Sequence, residues 1–158
     1  MSDGTVAGAA VRVRAAGEDD AGGLVHLYDQ LAGDRDEARP AGAADARALV
    51  ARLQSQPDRA LLVAEAGGAV VGTADVVVVD NLTHGGRPWA IVENVVVDER
   101  WRGLGVGHAL MDEVVARARR RGCYKVQLLS RVERVDAHRF YEDLGFDRSA
   151  EGFRRYLE

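Results

Sequence analysis

The sequence predicts a mixed α/β (α+β) fold, with a mostly antiparallel central sheet of about six to seven strands flanked by about four helices. The first observation is the order of the predicted elements: a strand, two helices, an antiparallel meander, a strand–helix–strand unit, then a helix and a strand. The second is composition, since 47% of the 158 residues are apolar and 29% are charged. This length fits one domain that can bury a sizeable core.

The N-terminal part supplies one strand and two helices. Residues 1–10 are small and rich in glycine and alanine, which predicts a flexible tail before a single domain over 11–158. "VRVRAA" alternates as a strand does, and the apolar residues that follow recur at helical spacing. The predicted elements are a strand over 11–16 and helices over 17–33 and 43–56, with a polar loop over 33–42 between the helices.

The remaining strands and helices follow from turn residues and periodicity. Gly67 and Gly68 join two strands as an antiparallel hairpin. Val106, Leu110, Val114 and Ala118 form one stripe along the strongest helix. A right-handed crossover connects the strands on either side of that helix. The predicted elements are strands over 59–68, 69–80, 89–97, 124–130 and 153–158, and helices over 105–122 and 136–146.

Charge and cysteine usage exclude several classes of protein. A net charge of −4 argues against nonspecific nucleic-acid binding and favours a cationic ligand such as an amine. The one cysteine, Cys123, allows no internal disulfide and fits a reducing cytoplasm. The N-terminus does not resemble a signal peptide, and no apolar run has the length of about 18 residues that a membrane span needs. Histidine, cysteine and acidic residues lack metal-ligand spacing, so no metal is expected.

The stretch "RGLGVG", residues 102–107, lies between a predicted strand and the strongest helix. A dinucleotide fingerprint would need a small residue where His108 stands, and a P-loop would need G-K-[ST]. The glycines could simply make a turn. They could also leave the first amides of the helix open to an anion, beside the positive charge of Arg102. Anion binding is the expected consequence of that second arrangement.

Two motifs together carry a resemblance to a known family. "RGLGVG" matches the R/Q-x-x-G-x-G/A motif of the GNAT superfamily of N-acetyltransferases, and "AHRFYEDLGF", 137–146, resembles its A-x-x-x-Y-x-x-x-G-F signature. The resemblance covers roughly 90–146, and the predicted element order agrees over nearly the whole chain. "VENVVVD" and "GCYKVQLL" look most similar to glucosamine-phosphate N-acetyltransferases and to small bacterial relatives of unknown substrate.

The resemblance implies that acetyl-CoA is the co-substrate. The backbone of Val95, Val96 and Val97 would pair with the pantetheine arm as an added strand does. The pyrophosphate would be held by backbone amides along the glycine turn. Those amides belong to Arg102, Gly103, Leu104, Gly105, Val106 and Gly107.

The resemblance also implies direct transfer of the acetyl group to an amine. Tyr141 matches the family tyrosine that acts as general acid toward the leaving thiolate, and a phenol is protonated at neutral pH. Glu93 stands where relatives often carry a glutamate and is the candidate base, directly or through water. Its alternative role is a solvent-facing strand residue.

The chain departs from its relatives at two positions. Asn94 stands where the glucosamine-phosphate enzymes carry an acid. Arg134 stands where relatives often carry an asparagine that contacts the cofactor, and this arginine either reaches a phosphate or simply points to water. The acids of "DRDEAR", 34–39, either attract a cationic amine or are simply solvated. The expected activity is acetylation of a primary amine of a small molecule. A regulatory acyl-CoA sensor, a protein lysine or N-terminal acetyltransferase, and a homodimer joined through sheet edges remain alternatives or additions.

Overall fold

The computed structural model describes residues 3–6 and 9–157, with side chains from residue 10 onward. The chain separates into two compact units, Met1–Gln127 and Leu128–Glu158. The first unit contains the helices α1 (Ala21–Ala32), α2 (Ala43–Gln54) and α3 (Val106–Arg120), and the strands β1 (Asp3–Val6), β2 (Ala9–Ala15), β3 (Arg59–Ala66), β4 (Ala69–Val79) and β5 (Trp89–Val97). Strand β6 (Val126–Leu128) ends at the first residue of the second unit, which contains α4 (Val135–Asp143).

The six strands lie in chain order, β1-β2-β3-β4-β5-β6, which confirms the mixed and mostly antiparallel sheet. Each pair from β1 to β5 is antiparallel. Two hydrogen bonds join the start of β5 to the segment entering β6, from Tyr124 N to Pro88 O at 2.9 Å and from Ala90 N to Lys125 O at 3.0 Å. Residue numbers rise together in the two segments from one bond to the next, so the segments are parallel. A strand–helix–strand unit requires this arrangement.

The sheet of the first unit carries helices on both faces. On α3, the predicted stripe of Val106, Leu110, Val114 and Ala118 is buried. A Cβ on Gly72 of β4 would approach side-chain atoms of Val106 and Leu110 to 3.0 Å, so the absence of a side chain there allows close packing. On β3, Leu61 and Val63 pack instead with Leu24 of α1 and Val50 of α2. Because successive side chains of a strand point to opposite faces of the sheet, α1 and α2 pack on one face and α3 packs on the other.

The structure corrects two predictions at the chain ends. Residues 1–10 were expected to form a tail, yet Asp3–Val6 is a strand paired with β2, which itself begins at Ala9. Residues 1, 2, 7 and 8 of that tail lie outside the described residues. The last strand, predicted over 153–158, does not form in the described part, 153–157. Residue type gives a segment only a preference for extended backbone, and a strand also needs a hydrogen-bonded neighbour.

The predicted single domain over 11–158 stays a prediction. No helix of the described residues combines the length and the apolar character that crossing a membrane would require.

Candidate active site

A β-bulge interrupts strand β5. Asp75 of β4 pairs with Glu93 and Thr73 pairs with Val96, so three steps along β5 match two steps along β4. Asn94 accommodates the extra residue with a φ of +52°, which is uncommon outside glycine. Glu93 and Asn94 are consecutive and both exposed, which strict alternation would not allow. The bulge therefore redirects side chains at this point of the sheet.

Beyond the bulge, Val95–Val97 completes β5 and leads into the glycine turn. Val96 is buried, and its neighbours are half-buried. The guanidinium Nε of Arg102 donates to the carbonyl oxygen of Val97 at 3.2 Å. This contact ties the exposed Arg102 to the end of the strand that precedes it.

The glycine turn needs left-handed backbone at two positions. Gly103 has a φ of +72° and Gly105 a φ of +86°, a region that other residues enter only at a cost. Helix α3 begins directly afterwards, where Ala109 N donates to Gly105 O at 3.0 Å. Within the described residues, no side chain caps this helix. Its first peptide N–H groups therefore carry partial positive charge at an exposed surface.

Asp98 anchors the strand end to helix α1. Its carboxylate accepts hydrogen bonds from Arg100 N at 3.0 Å and from the Arg100 guanidinium at 3.1 Å. Nε2 of His26 lies 3.2 Å from the same carboxylate, and Gln30 both donates to Asp98 and accepts from Glu99 N. The side chain of Arg100 holds the pKa of the buried Asp98 well below its usual range. Sequence reasoning missed Asp98, although an aspartate directly after a strand is a common first residue of a turn.

A cleft of about 260 Å³ lies between α1, the segment after it and the bulge. Tyr28, Leu31 and Ala32 of α1 line it together with Arg35, Ala38, Pro40 and Asn94. Among the described residues, the acids of the run 34–39 do not line the cleft, and all three are exposed. Only Arg35 and Ala38 of that run reach it.

Polar side chains that sequence reasoning missed lie on the same face of the sheet as Glu93. Asp75, the buried cross-strand partner of Glu93, accepts two hydrogen bonds from the Arg59 guanidinium, at 2.9 and 2.5 Å. Thr73 donates to Leu62 O at 2.7 Å. Burial raises the pKa of Tyr28 to about 12, against a smaller opposing effect of its hydrogen bond with Thr73. These groups could be found only from strand register, which the sequence does not encode locally.

Tyr141 belongs to α4 in the second unit. Its ring packs edge-on against Phe140 at 5.1 Å and Phe146 at 5.9 Å between centroids. Burial raises the pKa of the Tyr141 phenol, and the charge of Arg134 opposes that rise. Because the pKa of the phenol is raised, Tyr141 is protonated at neutral pH. Gly145, with a φ of +85°, ends the helix, and Phe146 N donates to Tyr141 O at 3.0 Å.

The predicted site residues divide between the two units. Glu93, Val95–Val97 and the whole stretch 102–107 form one continuous path in the first unit, and Tyr141 lies in the second. Arg134 lies directly before α4, where its carbonyl oxygen accepts from His138 N at 3.1 Å. Across the described residues, no three histidine, cysteine or acidic side chains gather as a metal site.

The chain is similar to known proteins of one family. A family model described as the acetyltransferase (GNAT) family matches residues 24–146. The chain is 42% identical over 79 residues to the glucosamine 6-phosphate N-acetyltransferase of Trypanosoma brucei brucei, across 50% of this chain and 52% of that enzyme. It is 34% identical over 101 residues to the aminoglycoside N(6')-acetyltransferase type 1 of Stenotrophomonas maltophilia, across 63% of this chain and 66% of that enzyme.

The match spans about half to two thirds of the length of these two curated relatives. A solved structure from Agrobacterium tumefaciens strain C58, provisionally assigned as an acetyltransferase, is 36% identical. It superimposes with a TM-score of 0.84 over 92% of this chain and 99% of that one. The chain therefore belongs to the GNAT family of acetyltransferases.

Proposed function

We propose that this protein is an acetyl-CoA-dependent N-acetyltransferase that transfers the acetyl group directly to a primary amine of a small molecule. The observation that carries the proposal is the glycine turn: Gly103 and Gly105 are left-handed, and no side chain of the described residues caps the start of α3. Exposed amides at a helix N-terminus, with Arg102 in the same turn, suit a pyrophosphate. Acetyl-CoA supplies that pyrophosphate and the activated acetyl thioester.

The cofactor contacts we propose are mainly backbone contacts. Val95, Val96 and Val97 offer main-chain groups to the pantetheine arm. The pyrophosphate is bound by the amides of the turn and the first helical residues. These are Arg102, Gly103, Leu104, Gly105, Val106 and Gly107. Main-chain recognition explains why valines and glycines suffice along this path.

Proton transfer would fall to two side chains. An amine with a pKa of about 10 is neutral in only about a thousandth of molecules at pH 7, which costs roughly 4 kcal/mol. We assign the removal of that proton to Glu93, which is exposed at the bulge and acts directly or through water. Tyr141 carries a proton at neutral pH that it can give to the departing sulfur, and burial keeps it there by raising the phenol pKa.

The cleft beside the bulge supports a small acceptor. Its volume of about 260 Å³ accommodates a small amine, and its lining residue Asn94 directly follows Glu93. Both named relatives, the glucosamine 6-phosphate and the aminoglycoside enzymes, act on the amino groups of small molecules by their names. We therefore propose a small-molecule amine ahead of a protein lysine or N-terminus.

Thermal unfolding with acetyl-CoA, and with NAD as control, tests the proposal first. Acetyl-CoA at about 100 times its Kd should add about 2.7 kcal/mol to the free energy of unfolding, and NAD should add nothing. A thiol-release assay with candidate amines then tests turnover. Stabilisation without thiol release from any amine or peptide would favour an acyl-CoA sensor, and no stabilisation would reject the proposal.

A further inference from the structure

The cleft beside the bulge has one charged lining residue among the described ones, and it is a cation. The other six lining residues are uncharged: Tyr28, Leu31, Ala32, Ala38, Pro40 and Asn94. The sequence leaves two interpretations of the acids in the run 34–39, attraction of a cationic amine or simple solvation. In the structure Asp34, Asp36 and Glu37 are exposed, whereas Arg35 between them is half-buried.

Local hydrogen bonds hold Arg35 against the end of α1. Gly33 ends the helix with a φ of +58° and donates to Asp29 O at 3.1 Å. Arg35 N then donates to Ala32 O at 3.2 Å, and the guanidinium donates to Leu31 O at 2.8 Å. The bond to Leu31 uses one of five guanidinium N–H donors and fixes the direction of the side chain.

The carboxylates of Asp29 and Asp36 pair with a different arginine. Arg39 donates to Asp29 at 3.3 Å and lies 3.7 Å from Asp36, whose side chain is 98% exposed. Arg39 does not line the cleft, although it lies only four residues from Arg35. The segment therefore places one arginine with acids at the surface and the other at the cleft.

We propose that Arg35 binds an anionic group on the acceptor, a phosphate or a carboxylate, so that the substrate is an amine that also carries a negative charge. This inference rests on the proposed function, because it assigns the specificity of the same site. A guanidinium matches the two oxygens of such a group with parallel N–H donors. The apolar lining residues Leu31, Ala32 and Pro40 then contact the carbon skeleton between the two polar ends.

The test is binding of matched ligands to the protein saturated with CoA, which allows no turnover. Thermal unfolding is followed with glucosamine 6-phosphate, glucosaminic acid, glucosamine and kanamycin, a polycation without an anionic group. We expect stabilisation by one of the two anionic amines at concentrations at least about tenfold below those needed for glucosamine or kanamycin. The two anionic ligands distinguish a phosphate-binding from a carboxylate-binding site.

Arg35→Ala should raise the required concentration of the preferred anionic amine about 10- to 100-fold, a range set by charge-assisted hydrogen bonds. Arg39→Ala, the matched control, should change it by less than about twofold. The inference is overturned if neither anionic amine is preferred, if Arg35→Ala keeps the preference, or if both variants lose it equally. Loss of stabilisation by CoA and acetyl-CoA would instead be the failure of the proposed function itself.

Discussion

Nε2 of His26 lies 3.2 Å from the carboxylate of Asp98, across 72 residues of chain. The contact connects α1, which lines the cleft beside the bulge, to the residue that begins the turn after β5. Gln30, one helical turn further along α1, bonds to both Asp98 and the next backbone amide. The acceptor side and the cofactor side of the proposed site are thus joined by one buried carboxylate.

Asp98→Asn should lower the free energy of unfolding at pH 7 by about 1 to 3 kcal/mol, because an amide accepts the hydrogen bonds from Arg100 less strongly than the buried carboxylate does. The pKa of Asp98 is depressed in the folded state, so its contribution is present above the unfolded value of about 3.9. That contribution is lost as the pH falls from there toward the lower folded value. Urea unfolding at several pH values measures it.

The difference between Asp98→Asn and wild type should therefore shrink below pH 4. Asp36→Asn, at a side chain that is 98% exposed, is the control and should leave stability unchanged at every pH. If Asp98→Asn lowered the free energy of unfolding equally at pH 7 and at pH 3, the charge of the carboxylate would not be what stabilises the turn after β5.

Gly105→Ala should abolish most of the stabilisation by acetyl-CoA. Gly105 has a φ of +86°, and a Cβ in left-handed backbone costs about 1–2 kcal/mol. Gly122→Ala, at the other end of α3 with a φ of +73°, carries the same kind of strain away from the turn. Both variants should lose similar stability, measured by urea unfolding. If Gly122→Ala also lost the stabilisation by acetyl-CoA, backbone strain in the protein, rather than a change in the glycine turn, would explain the loss in Gly105→Ala.

Tyr141→Phe should reduce kcat by about 10²- to 10⁴-fold, the usual contribution of a general acid, with little change in acetyl-CoA affinity. Steady-state kinetics and the acetyl-CoA thermal shift measure the two effects separately. Tyr156→Phe, at an exposed tyrosine of the same unit, is the control. Wild-type turnover in Tyr141→Phe would show that Tyr141 is not the general acid.

Glu93→Gln should change the pH dependence of kcat/KM more than it changes acetyl-CoA binding. An amide cannot take a proton, so the step proposed for Glu93 must fall to solvent in the variant. In the variant only the amine's own deprotonation should remain, with a lower rate at every pH. Glu151→Gln, at an exposed glutamate, provides the comparison, and identical profiles for Glu93→Gln and wild type would assign Glu93 to the solvent-facing role.

Local sequence patterns were enough to predict features that a single short stretch of chain determines. The stripe from Val106 to Ala118 predicted which face of α3 is buried, and the spacing of Gly103 and Gly105 predicted the turn before it. Both depend on residues a few positions apart, where periodicity and backbone preference act directly.

Features that depend on pairing between distant strands were not predictable. The bulge at Asn94 leaves no mark in the apolar run "IVENVVV", because the extra residue is defined only against β4. The bidentate contact of Arg59 with Asp75 likewise requires the register of β3 against β4. Residues 153–157 show the converse, since a segment predicted as a strand from its own residues stayed irregular.

The bulge also divides β5 into two halves that can change independently. At the bulge, Asn94 lines the cleft, whose remaining lining residues come from α1 and the segment that follows it. From Val95 onward, β5 offers main-chain groups that any apolar residue could supply. Under the proposed function, substitutions in the segment after α1 would exchange one acceptor for another while the acetyl donor stays the same. A family that keeps one donor and diversifies its acceptors needs this separation.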